Sequence, residues 1–473
     1  MYLWLSFLFV LSRLFFLSDY PHFYDSPEYY RESLSASLTR SLAASHEVVH
    51  PLYLFLCQGI QHALILLTGQ PHYWALSLIS ALAGGLSLIA FYFLVRSLFD
   101  KKVAVLSILP LMFFPHLWLL QTNILHESLD FSLFLLGLLF ISLSFKKHRP
   151  FLIFLSVICW TLGLIDNFGL LIWFQAVLGT VFIQKNNRIK NLLVAGLATI
   201  LSISLAFYSL VLIFSSFTEK PVNHLLSLLS YGNGFLSGWS LLNLLRLFRN
   251  DFLILWYGYT PVSLFLLAAL YFLYRRKNYR AVVFFLGFFL PFLLTGKMWY
   301  GGLFSRYSGL VAFPLAFILG NLRQRKIYLF LVAVIFIFFL KTFLAYQGEP
   351  LPERQKALIY QSGVTEDDLL ILSDYQRPQL PFANALFVNT DEESKKVIGE
   401  SIEQALKAGK KVYVSQQALN FPYWQYDGQE IHIISRGSKE KAVLAKMLEG
   451  KKLTLKAEDK RDSLLSVYEV SNR

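Results

Sequence analysis

The chain has 473 residues, of which 55% are hydrophobic and 15% charged, with a formal net charge of +13 and a mean hydropathy of +0.50. A soluble domain is nearer a quarter charged, so a single water-soluble globule is excluded. The positive balance does not point to nucleic acid, because most Lys and Arg fall in short clusters between apolar runs, where they set membrane topology.

The first apolar run, residues 2–17, lacks an A-x-A-like cleavage site after it and reads as a retained span. "FYDSPEYY" follows at 23–30. Ser26 is a candidate N-cap, Pro27 suits the first helical position and Glu28 the first turn. Asp25 then precedes the positive end of a helix, which favours its ionised form. A carboxylate held ionised at a membrane surface can serve as a general base or ligate a divalent cation. The plainer reading is a charged helix start at the interface.

Residues 50–69, "HPLYLFLCQGIQHALILLTG", are long enough to cross a bilayer but carry Cys57, Gln58, Gly59, Gln61 and His62 at their centre. They read as a helix lying at the interface or dipping into it. A full crossing would instead place the N-terminus outside and Asp25 in the cytoplasm. Residues 74–95 form the next span and enter the cytoplasm at Arg96.

Five basic clusters, at 96–102, 146–149, 185–190, 275–280 and 323–326, should all be cytoplasmic. Each neighbouring pair must be joined by an even number of crossings. The runs 103–125 and 129–145, 151–165 and 170–183, 192–215 and 252–274, and 282–299 and 310–322 supply these, and 327–344 exits last. The outcome is about eleven spans, with the N-terminus cytoplasmic and the C-terminus outside. Cys57 and Cys159 lie in separate apolar segments and suggest no disulfide framework.

After about residue 346 the charge density rises and the apolar runs shorten. "LLILSDY", "ALFVNT", "KVYVS" and "IHIIS" read as strands, while 392–410 and 439–450 read as amphipathic helices. The expected fold is a polytopic α-helical membrane domain over 1–345, with a long first outer loop at about 19–73, followed by a small extracytoplasmic α/β domain over 346–473. Neither G-x-G-x-x-G nor a P-loop occurs in the tail.

Three further polar spots fall on outer turns of this threading. "QTNILHESLDF" puts His126, Glu127 and Asp130 where one span exits and the next returns. Asp166 and Asn167 cap the next short turn and read as marking the water boundary. In "KMWYGGLFSRYSGL", Arg306 stands at the mouth of a returning helix, where a guanidinium matches a phosphate in charge and fork geometry. Plainer readings are boundary residues for the acids and a headgroup anchor for the Arg.

Taken in order, these features resemble a known superfamily. One span precedes a long outer loop with an early Asp and an "HPLY" helix. A span ending in "RSLFDKK" follows, then Thr122 and Glu127 in a T-x-x-x-x-E spacing, and late Arg306, Tyr307 and Pro314. This is similar to the GT-C glycosyltransferases, in particular the protein-mannosyltransferase and aminoarabinose-transferase-like group. The resemblance covers most of 1–345. It implies an integral plasma-membrane hexosyl- or pentosyltransferase that moves a sugar from a polyprenyl-phosphate-linked donor to a lipid, glycan or protein acceptor outside the cytoplasm.

The resemblance puts the essential first-loop aspartate at Asp25, with Glu28 beside it. The second-loop acid falls at Glu127, and the donor phosphate at Arg306 with Tyr307 next to it. "HES" stands where "TE" or "TD" is commoner, so Asp130 and His126 can share that duty. The oligosaccharyltransferase motif "WWDYG" is missing, which disfavours whole-glycan transfer to asparagine. The sequence leaves open whether a divalent cation bridges Asp25 and Glu127. A transporter or lipid-linked glycan flippase is the rival reading. It would place charges or broken helices near the midplane of related halves, whereas the acids here cluster at outer turns.

Overall fold

Apolar runs with few breakers form helices in the computed structural model, which describes residues 2–18, 26–35, 37–44, 50–184, 187–222, 241–295, 306–322, 324–347, 351–373, 384–388, 392–420, 422–426, 431–435, 448–459 and 465–472. The chain divides into two compact units, one of Met1–Leu17 with Glu28–Phe343, the other of Ser18–Pro27 with Leu344–Arg473.

The first unit begins with α1 (Tyr2–Leu14), α2 (Ser26–Ser33), α3 (Leu38–Ala44), α4 (Pro51–Thr68) and α5 (Trp74–Leu98). It continues with α6 (Lys101–Leu111), α7 (Pro115–Thr122), α8 (Glu127–Lys147) and α9 (Pro150–Asp166). A 3-10 segment (Phe168–Phe174) leads into α10 (Gln175–Ile183) and α11 (Arg188–Ser215). Beyond them lie α12 (Leu241–Leu253), α13 (Val262–Arg275), α14 (Tyr279–Thr295), α15 (Ala312–Gly320) and α16 (Arg325–Gln347).

Among the described residues, five helices are long and apolar enough to cross a membrane, or seven if each of two bent pairs counts as one span. Four shorter apolar helices accompany them: Pro150–Asp166, Phe168–Ile183, Tyr279–Leu293 and Ser308–Gly320.

One bent pair is α6 and α7, which turn by 71° between Pro110 and Pro115. Proline removes a backbone donor and stops the first helix, then starts the second. Buried Arg13 fills the break, donating from Nη2 to the Met112 carbonyl (3.0 Å) and from Nε to Gln121 Oε1 (3.2 Å). A carbonyl freed by the kink thus finds a partner away from water.

Close packing uses small residues. At Gly137 of α8 an added Cβ would come 2.2 Å from Trp160 Nε1 of α9, and at Gly179 of α10 one would come 3.3 Å from the Gly287 Cα of α14. Small residues let helices approach in lipid, where no hydrophobic drive acts between them.

α4 is among the helices able to cross by length and composition. Two of its polar residues, which argue from sequence for an interfacial position, bond inside the protein. Gln58 Nε2 donates to the Glu32 carbonyl (3.1 Å) and Ser41 Oγ (2.8 Å), and Gln61 Nε2 to the His72 carbonyl (2.8 Å).

In the second unit, α17 (Leu351–Gln361) precedes β1 (Leu369–Ser373) and β2 (Ala385–Val388). Next come α18 (Glu392–Lys407), β3 (Val412–Ser415), α19 (Gln416–Asn420), β4 (Pro422–Tyr426) and β5 (Ile431–Ser435). β6 (Lys451–Ala457) and β7 (Val467–Asn472) close the chain.

The described strands form a sheet in the order β2-β1-β3-β7-β6, parallel across the first three and antiparallel beyond. Leu358 and Ile359 of α17 cover one face over Leu370 and Leu372, while Ile398 and Ile402 of α18 cover the other over Ile371 and Val414. Burial on both faces explains the short, nearly unbroken apolar strands. "IHIIS" is a strand, but it pairs with β4 in a separate hairpin sheet. Of the expected helix at 439–450, residues 439–447 lie outside the described residues and 448–450 form a turn.

Candidate active site

The first turn of α4 lacks a side-chain cap of its own. His50 stands at its N-cap position, and Pro51 opens the helix without an N–H. The missing acceptor comes from 113 residues away. Asp166, the last residue of α9, accepts the Tyr53 amide on Oδ1 at 2.9 Å. Its backbone carbonyl accepts from His50 Nδ1 at 2.6 Å. One residue thus satisfies a helix N-terminus and fixes the ring beside it.

His126 approaches from the turn before α8 and stacks on His50, with ring centroids 3.4 Å apart and planes 21° from parallel. Its Nδ1 lies 2.7 Å from Asp130 Oδ2, one helical turn along α8. Asn167 Nδ2 donates to the same oxygen at 3.0 Å. On the other edge of the ring, Nε2 is 3.2 Å from Glu127 Oε1.

Tyr53 ties the turn down. Its hydroxyl bonds Ser80 Oγ (3.2 Å), and Ser80 Oγ donates to the Leu125 carbonyl (2.8 Å), immediately before His126. Tyr29 and Tyr53 meet the rings edge-on, with centroids 5.1 Å apart from each other. His126, Glu127 and Asp130 are fully buried, Asp166 is 1% exposed and His50 5%.

These bonds decide the tautomers. A carbonyl oxygen can only accept, so His50 carries its proton on Nδ1. Asp130 Oδ2, already taking the Asn167 amide, likewise accepts from His126 Nδ1. One donor atom from each of His50, His126 and Asp166 lies within 4.8 Å of the others. Two imidazole nitrogens with a carboxylate oxygen suit a divalent cation of zinc's class.

The opposite end of the same bundle is basic. Lys146 Nζ donates to the Ser97 carbonyl, and Arg280 Nη2 to the Leu98 carbonyl at 2.6 Å. The 21 residues of α8 separate Glu127 from that end by about 30 Å, the thickness of a hydrocarbon core.

The sequence-predicted residues fare differently. His126, Glu127 and Asp130 come together in one buried knot. Asp25 lies outside the described residues. Glu28 is half-buried in α2. Arg306 and Tyr307 are described in their backbone, which opens a 3-10 turn (Arg306–Val311) leading into α15. That turn is held at Ser308, whose carbonyl accepts from Tyr259 Oη at 2.9 Å and whose Oγ lies 3.4 Å from His116 Nε2.

Among the described residues, the donor atoms that converge come from His50, His126 and Asp166; the expected pair includes Asp25, which lies outside them. Sequence reasoning passed over His50 and took Asp166 and Asn167 for a water boundary. A His before a helix-starting Pro and an Asp-Asn closing a short span were the available signals.

Residues 49–165 match the family described as "Dolichyl-phosphate-mannose-protein mannosyltransferase". The apo structure of ArnT from Cupriavidus metallidurans superposes with a TM-score of 0.59 at 11% identity, covering 99% of this chain and 96% of that one. The same protein bound to undecaprenyl phosphate superposes with a TM-score of 0.57 at 10% identity, covering 99% and 97%.

The fold is that of the GT-C glycosyltransferases.

No curated protein matches the chain by sequence. Within this GT-C fold the family match takes in His50, His126, Glu127 and Asp130 and stops one residue before Asp166. The buried knot therefore joins residues inside the matched segment to one just past it.

Proposed function

We infer that the protein is an integral-membrane glycosyltransferase that moves a sugar from a polyprenyl-phosphate donor to an acceptor on the extracytoplasmic side. The observation that carries this reading is the buried knot of Glu127, His126 and Asp130, about 30 Å along α8 from the basic end of the bundle. The rule that basic ends face the cytoplasm supports this reading, in which the knot lies at the outer surface, the N-terminus inside and the domain after residue 346 outside. Support also comes from the GT-C fold and from ArnT, whose bound form holds undecaprenyl phosphate.

The chemistry needs two things at one membrane face. The acceptor hydroxyl must lose a proton as its oxygen bonds the sugar's anomeric carbon. The bond from that carbon to the phosphate oxygen breaks, and the polyprenyl phosphate leaves with the electron pair and an added negative charge. Asp25 is assigned as the base and Glu127 as the acid that orients the reacting groups, with Asp130 and His126 setting its surroundings. Arg306 is assigned to the phosphate, with Tyr307 and Glu28 lining the donor and acceptor. A divalent cation at this face would add positive charge near the leaving phosphate.

The test is transfer by the purified protein from polyprenyl-phosphate sugars, read as release of polyprenyl phosphate. Asp25→Asn and Glu127→Gln should each slow it by about 10²–10⁴. Movement of a labelled lipid-linked sugar across vesicles, with no sugar transferred, would favour the flippase instead.

A further inference from the structure

We propose that α12 is an interfacial helix docked on the bilayer surface, with its exposed apolar stripe in the acyl region and Arg246 and Arg249 on the phosphates of anionic phospholipids. The first support is periodicity. Leu241, Leu245, Phe248, Phe252 and Trp256 recur every three or four residues, from α12 into the π-helical turn Ile254–Gly258, and all five are exposed. Leu247, Asp251, Ile254 and Leu255 are buried on a different face, and α12 packs against α14. The helix thus has its contact with the protein and still carries a second apolar face.

The second support is direction. The stretch Leu244–Gly258 turns by 107° into α13, an apolar helix that ends at the basic residue Arg275. A helix nearly perpendicular to a span runs along the membrane plane. The 13 residues of α12 measure about 20 Å, too short for a hydrocarbon core of about 30 Å. The joint is fixed by its surroundings. Thr260, fully buried there, has a φ of 69°, which a β-branched residue rarely adopts, and the hydroxyl of Tyr259 holds the Ser308 carbonyl.

The third support is charge. Arg246 and Arg249 are exposed and three residues apart, so they share one side of the helix. At helical spacing that side lies about 90° round from the apolar stripe and about 150° from the buried face. With the stripe turned down into the acyl chains, the arginines point sideways, away from the protein and into the headgroups. Arg246 makes no hydrogen bond or ion pair among the described residues, and Arg249 Nη2 donates to Asn250 Oδ1 at 3.1 Å. The one acid of α12, Asp251, is buried on another face, so the outward charge is wholly positive.

Headgroup chemistry sets the lipid class. A guanidinium forks onto phosphate oxygens while its stem lies along apolar surface. Phe252 and Trp256 stack with centroids 5.9 Å apart and planes 21° from parallel, and such aromatics favour the boundary between acyl chains and headgroups. A second copy of the chain could cover the stripe but would leave the two cations beside it without a counter-charge. This inference goes beyond sugar transfer and does not need it to be correct, because lipid retention and depth are read with no donor present.

The full chain is reconstituted in nanodiscs of mixed phosphatidylcholine and phosphatidylglycerol, and the lipids that stay bound after detergent extraction are counted by mass spectrometry. Expected is retention enriched in phosphatidylglycerol, falling about fivefold with Arg246→Gln or Arg249→Gln and largely kept by Arg246→Lys or Arg249→Lys. A nitroxide on Phe248→Cys, with the wild-type chain labelled in parallel as the blank for Cys57 and Cys159, should collide with oxygen more than with an aqueous nickel chelate, at about 5–10 Å below the headgroups. Equal retention of the two lipids, or unchanged retention in folded Arg246→Gln/Arg249→Gln protein, overturns the proposal. So does a label at 248 that reports water, or one broadened by the label of a second copy, which would assign the stripe to a dimer. Displacement of the bound phosphatidylglycerol by equimolar polyprenyl phosphate would assign the arginines to the donor and overturn it as well.

Discussion

Replacing Asp166 separates two roles that the structure assigns to one carboxylate. Its Oδ1 accepts the Tyr53 amide in the first turn of α4, and one of its oxygens lies within 4.8 Å of a ring nitrogen of His50 and of His126. Asp166→Ala removes both. The Tyr53 N–H then has no intrahelical acceptor and sits in a buried place that water does not reach. Losing a cap costs about 0.5–2 kcal/mol, and leaving a buried donor unsatisfied about 1–3 kcal/mol. These describe the same lost bond, so they are not added. Removing a desolvated polar group returns part of the cost, which puts the expected loss at about 1–2 kcal/mol. Asp166→Asn keeps a carbonyl oxygen in the capping position and should cost less than about half as much.

The measurement is unfolding in detergent, followed by tryptophan fluorescence, with a chelator present so that no metal contributes. Under those conditions Ala should unfold well before Asn, and Asn close to wild type. Equal losses for the two variants would refute the capping role. No loss for Ala would show that the α4 N-terminus is satisfied in some other way.

Gly137→Ala should destabilise by about 1–3 kcal/mol, since its methyl would press on the buried Trp160 ring, 2.2 Å from Nε1. Trp160→Phe should relieve much of that loss, giving a coupling of about 1 kcal/mol or more in a double-mutant cycle; additive effects would contradict the packing. Arg306→Lys keeps the charge but loses the fork, so donor use should fall, and further in Arg306→Ala; unchanged turnover in folded Arg306→Ala would return the residue to a headgroup anchor. Cysteines placed in the tail after residue 346 should react with an impermeant reagent from outside, and cysteines at 146–149 should not. The reverse pattern would invert the threading and move the buried knot to the cytoplasmic face.

Much of this protein is written in local sequence. Long Leu- and Phe-rich runs must form helices in lipid, since every backbone group needs an internal partner there, and the described helices lie on those runs. Strands β1, β2 and β3 are legible because each is a short apolar run bounded by turns. β6, "KKLTLKA", was less so, since its residues are largely exposed and its place is set by pairing with β7. The cluster His126, Glu127 and Asp130 was also legible, because neighbours on one helical turn meet whatever the rest of the chain does.

What the sequence alone could not decide is which distant polar residues join that turn. His50 and Asp166 are 116 residues apart, and a lone polar residue at a span's end looks the same whether it meets water or another helix. Only the packing of α4 against α9, and of α9 against α8 through Gly137 and Trp160, brings them together. Burial then turns ordinary boundary residues into a knot that must be satisfied from within, because a desolvated charge or donor is too costly to leave alone.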